Sequence, residues 1–60
     1  MHVRIAVGDF VKMNICFQFV DSHISGVIDE ISGALFRIRG YDVWYTGRGI
    51  YEVNGVFLFQ

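Results

Sequence analysis

Hydrophobic and polar residues alternate along much of this chain, and alternation at period two marks strands with one buried face. The longest run spans Val11 to Phe19. Val11, Met13, Ile15, Phe17 and Phe19 fall on one face, with Lys12, Asn14, Cys16 and Gln18 on the other. A shorter run precedes it, in which Val3, Ile5 and Val7 oppose His2, Arg4 and Ala6, and Gly8-Asp9 separates the two. Val20-Asp21-Ser22-His23 reads as the turn that follows. Near the C-terminus, Phe36 to Tyr45 is rich in aromatic and β-branched residues and predicts a strand with Gly40 as a bulge. Thr46-Gly47-Arg48-Gly49 predicts a turn and Ile50 to Val53 a strand. Asn54-Gly55 predicts a tight hairpin returning through Val56 to Phe59, because both residues tolerate positive φ.

The middle admits two readings. Ile24, Val27, Ile28, Ile31, Ala34 and Leu35 have helical spacing, and Asp21 or Ser22 could cap a helix. Against a helix stand Gly26 and Gly33, each costing about 1 kcal/mol relative to alanine in a helix interior. The strand reading takes Ile24 to Ile31 and turns at Ser32-Gly33-Ala34. It is preferred, and it makes the chain one all-β domain over residues 1–60, a small barrel of five or six antiparallel strands. The alternative is α+β, in the order ββαβββ, with a helix over residues 22–35.

Composition sharpens this picture. Hydrophobic residues make up 53% of the 60 positions and aromatic residues 17%. A domain of this size buries only about 60% of the surface its unfolded chain exposes, so apolar side chains must remain outside. A contiguous apolar patch on a small domain marks a partner. The formal charge of −1 provides no long-range attraction to nucleic acid or to anionic membrane. Cys16 is the sole cysteine, so no intrachain disulfide can form. The N-terminal residues show no signal-peptide pattern, and no apolar run approaches the ~18 residues of a membrane-spanning helix. The expected setting is cytoplasmic, without membrane contact.

Read as strands, several segments resemble those of SH3-like small barrels. Gly8-Asp9-Phe10-Val11 resembles the Gly-Asp-x-Val start of a first barrel strand. Gly26 to Ile31 fits a second strand, Tyr41-Asp42-Val43-Trp44-Tyr45 a third, and Ile50 to Val53 with Leu58 the closing strands. The resemblance implies a fold and no particular activity. Type II dihydrofolate reductases share this order of elements, with a binding motif Val-Gln-Ile-Tyr. The matching stretch is Arg48-Gly49-Ile50-Tyr51, where Gly49 replaces the glutamine and removes its polar contacts. Free-standing barrels of this kind also resemble phage or mobile-element accessory proteins that bind a host factor.

The candidate chemistry is sparse. Cys16 and His23 are the available thiol–imidazole pair, but with no spacing that fixes them together. His2, Cys16 and His23 are too scattered for a metal site. No catalytic residue, metal or cofactor is expected. Protein association, with a second copy or another protein, is the leading expectation, through Trp44, Ile50, Phe57 and Phe59, with Ile50 facing outward. The alternative is nucleic-acid binding by Arg37, Arg39, Arg48 and Trp44, basic residues beside a stacking ring.

Overall fold

A computed structural model describes residues 4–58, Phe17 by its backbone alone. These residues form β1 (Phe10–Phe17), β2 (Val20–Ser32), β3 (Leu35–Ile38), β4 (Tyr45–Thr46), β5 (Ile50–Val53) and β6 (Val56–Phe57). A single 3-10 turn, Gly47–Gly49, links β4 to β5. All pairings are antiparallel, in the order β4-β3-β2-β1-β5-β6, and the sheet curls into a half-barrel.

Strand β2 makes the curl possible. Its first part pairs with β1, from Val20 opposite Phe17 to Val27 opposite Phe10. Its last part pairs with β3, from Ile28 to Ser32. At the crossing, Ile38 lies over Gly26, where an added Cβ would stand 2.5 Å from the Ile38 Cγ2. The concave side holds the core: Val11, Met13, Ile28, Phe36, Ile38, Tyr45 and Ile50. Ile5, Ile15, Ile24, Val53 and Leu58 pack around it. The Phe36 and Tyr45 rings meet at 6.1 Å in a tilted arrangement, a favourable geometry for two π-systems.

A polar clamp joins the start of β1 to the last hairpin. Asp9 accepts hydrogen bonds from the Ala6 N–H and from the Asn54 side-chain amide. Asn54 in turn accepts from the Phe10 N–H through its side chain and donates its own N–H to the Phe10 carbonyl. Asn54 and Gly55 both have positive φ, as the Asn-Gly pair predicts, and Glu52 faces Phe57 across the hairpin.

Two bulges account for the main departures from the alternation. On β5 the register passes from Lys12–Glu52 to Met13–Ile50, leaving Tyr51 as the extra residue. A bulge puts two residues opposite one and reverses the parity beyond it. Ile50 therefore faces Met13 in the core at 2% exposure, which corrects its expected outward placement. On β2 the register passes from Ile28–Ile38 to Glu30–Arg37, leaving Asp29 as the extra residue. This bulge spaces Ile28 and Ile31 three apart on one face and so imitates helical periodicity. The helix over residues 22–35 does not form; a strand and the Gly33-Ala34 turn occupy that stretch.

Three smaller corrections follow from turns. The turn after β1 is Gln18-Phe19, both at positive φ, so Phe19 leaves the strand face and Val20 to His23 are strand. Gly40, at φ +90, sits in a turn closed by the Tyr41 N–H on the Ile38 carbonyl, and is not a bulge. Arg4 to Val7 form no strand, and Val7 is exposed; Val3 lies outside the described residues.

The 3-10 turn reaches β1 so closely that a Cβ on Gly49 would overlap the Asn14 carbonyl oxygen. A Cβ on Gly47 would meet only the Ile50 Cδ1, at 3.9 Å. In chemical denaturation, Gly49→Ala should therefore lose about 2 kcal/mol or more, within the range of strained and overpacked sites. Gly47→Ala should stay within about 0.5 kcal/mol of the parent chain.

Candidate functional site

The outer face of the C-terminal half carries a row of apolar side chains. Val11 and Met13 point inward, so Phe10 and Lys12 point outward. Phe10 faces Val27 on β2, and Lys12 faces Glu52 on β5, with Nζ and Oε2 at 3.4 Å. The Tyr51 bulge turns its ring toward Phe57, centroid to centroid 5.8 Å. Phe57 is 58% exposed. The outward apolar residues thus lie on three strands: Tyr51 meets Phe57 beside the Lys12–Glu52 pair, and Phe10 lies two residues further along β1, beside Asn54. Phe57 occupies the outer position expected of it, while Phe59 lies outside the described residues. Phe10 and Tyr51 join the patch without a local signal: Tyr51 depends on the bulge, and Phe10 on which strand β1 meets.

Trp44 belongs to a different neighbourhood. It precedes β4, at the far end of the sheet order from β6, and is 40% exposed. The Arg37 guanidinium lies 5.1 Å from its ring centroid, in cation–π range. Arg37 also reaches the Glu30 carboxylate at 2.5 Å and that of Asp42 at 3.4 Å. Its Nε is buried without a hydrogen-bond partner. Of the basic set Arg37, Arg39 and Arg48, the first is therefore held by two carboxylates and an aromatic face. Arg39 and Arg48 are exposed and make no ion pair among the described residues.

The folded hairpin of β1 and β2 brings Cys16 and His23 nearer than the sequence suggests. Cys16 faces Asp21 and Asn14 faces His23, so thiol and imidazole are diagonal neighbours on the outer face. The chemistry runs against nucleophilic use. Hydrogen bonding to Asp21 comes first, then desolvation and the Asp21 charge, and together they push the Cys16 thiol up. Thiolate is the reactive form, and here the protonated form is favoured.

A shallow cavity of about 310 Å³ opens between this part of β1 and the link from β4 to β5. Met13, Ile15 and Tyr45 give it apolar walls, and Arg48 and Asn14 supply polar groups. Burial, with a smaller contribution from Tyr41, pushes the Tyr45 hydroxyl up. Among the described residues, no group of three or more His, Cys, Asp or Glu side chains could hold a metal ion. No helix among them is long and apolar enough to cross a membrane. No protein-family model, curated protein or solved structure matches the chain.

Two outcomes are expected of these groups. Asp21→Asn removes the negative charge that opposes Cys16 ionisation, so alkylation by neutral iodoacetamide near pH 8 should accelerate severalfold, followed by mass spectrometry. Tyr45 has a folded-state pKa above its unfolded value, so its contribution is full below about pH 10 and is lost as pH rises further. Denaturation midpoints followed upward from about pH 9 should fall less steeply in Tyr45→Phe than in the parent chain.

Proposed function

We propose that this chain is an SH3-like small barrel acting as a non-enzymatic protein-interaction module, and that the outer face of its C-terminal hairpin is the contact surface. Several features favour the barrel assignment. β1 lies between β2 and β5, β2 is shared between two pairings, and one 3-10 turn leads into the strand that closes on β1. The Gly8-Asp9-Phe10-Val11 segment stands where the resemblance expects it, at the start of the first long strand.

The observation that carries the functional reading is the Phe10–Tyr51–Phe57 patch. Large rings held on a rigid sheet, with an ion pair among them, have the composition of a protein contact: aromatic anchors near a charge already neutralised. Lone exposed residues need no explanation, but a row across three adjacent strands does. The partner is a protein surface of matching apolar character, on a second copy or on a different chain. The basic residues support nucleic-acid binding less well. Arg37 is already neutralised, and the chain has no net positive charge to release counterions from phosphate.

Phe57→Ser tests the patch, because Phe57 is exposed and its loss leaves the core intact. Binding of a protein partner other than this chain, measured by affinity capture, should weaken about thirtyfold or more, the effect of removing an interface anchor. Circular dichroism should stay unchanged. A folded variant that captures partner protein as the parent does would refute the assignment.

A further inference from the structure

A second surface, separate from the apolar patch, lies along the outer edge of β2. Strand β3 pairs with β2 only from Ile28 onward, and the Arg39 N–H takes the Val27 carbonyl. From Val20 to Gly26, β2 is paired on its β1 side alone. Ile28 exchanges backbone hydrogen bonds with Gly8 and Asp9 on that side, so the alternation turns Gly26, Ile24 and Ser22 inward to β1. The backbone groups of Asp21, His23 and Ser25 then point outward. Among the described residues they make no backbone hydrogen bond on that edge, and all three residues are exposed.

Elsewhere the sheet guards its edges. β4 and β6 are two residues long, and a very short terminal strand offers little to pair with. The β2 edge has no such device: no lysine, proline or bulge interrupts Val20 to Gly26.

We propose that two copies of this chain join along this edge, antiparallel about a two-fold axis at His23. Outward-facing backbone groups pair only with one another, so Asp21, His23 and Ser25 must meet the same three residues of the second copy. One register uses all of them: His23 opposite His23, and Asp21 opposite Ser25 in both directions. The side chains agree with it. Asp21, a hydrogen-bond acceptor, meets the Ser25 hydroxyl. Val20, 62% exposed, comes opposite Gly26, where Ile38 fills the space a side chain would take. The pairing ends at Val20, because Val27, the next residue along the edge, is already bonded to Arg39. No two carboxylates, and no two lysines or arginines, stand directly opposite. This fit to itself under a two-fold selects a second copy over an unrelated strand.

The test combines backbone amide exchange by NMR with sedimentation equilibrium, from low to high micromolar concentration. The amides of Asp21, His23 and Ser25 should gain protection as concentration rises. Those of Ser22 and Ile24 should change little, being bonded to β1 at every concentration. His23→Lys places two like charges across the axis, and His23→Pro removes an outward N–H that the isolated chain does not use. Each should weaken dimerisation about tenfold or more, with the fold checked by circular dichroism. Phe57→Ser should leave this dimer in place. A monomer at all concentrations overturns the proposal, as does a dimer that both folded His23 variants preserve. Association lost in Phe57→Ser and kept in the His23 variants overturns it too, and assigns self-association to the apolar patch.

Discussion

The joint between β1 and β5 is the constraint on which the rest of this structure depends. β1 must serve two neighbours at once, pairing with β2 along its whole length and with β5 over Val11 to Met13. Gly49 brings the chain against the Asn14 carbonyl with no room for a side chain. Tyr51 then bulges, which lets Ile50 and Val53 both face the core although they are three residues apart. Without the bulge, one of them would be turned to solvent and the small core would lose a large fraction of its apolar area.

The same joint produces the candidate surface. A domain of this size cannot cover every aromatic ring, so the question is where the surplus goes. The bulge that buries Ile50 expels Tyr51 to the outside, where it meets Phe57. Burial on one face and exposure on the other are thus two results of one backbone irregularity. The charged residues follow a complementary logic. Lys12–Glu52 lies within the apolar row, and Arg37 ties Glu30 and Asp42 to the face of Trp44. Exposed pairs of this kind contribute about 0–1 kcal/mol each, so their main effect is to satisfy charge on a largely apolar exterior.

Much of the architecture was legible where local chemistry and tertiary pairing agree. Asn54-Gly55 specifies its hairpin because both residues accept positive φ, and the Val11–Met13–Ile15 face follows from strict alternation. Gln18-Phe19 makes a tight turn with neither glycine nor asparagine, and nothing in those two residue types announces it. The β1–β2 register imposes that turn from outside. The helical spacing of Ile24 to Ile31 misleads for a related reason: the Asp29 bulge adds one residue to a period of two and yields a spacing of three. In the candidate site, the outward position of Phe57 was legible from its hairpin. The burial of Ile50 and the meeting of Tyr51 with Phe57 were not.

By itself, then, the sequence determined the all-β class, the alternating faces of β1, the Asn-Gly hairpin, and the excess of apolar residues over what so short a chain can bury. These are properties of individual residues and their near neighbours, which act before any long-range contact forms. Only the tertiary structure decided which residues form the exterior patch, which strand edge stays open, and which arginines are already paired. Those outcomes depend on register between segments far apart in the chain. A one-residue bulge, selected by the fit of Gly49 to Asn14 and of Ile50 to Met13, is enough to reverse the face of every residue beyond it.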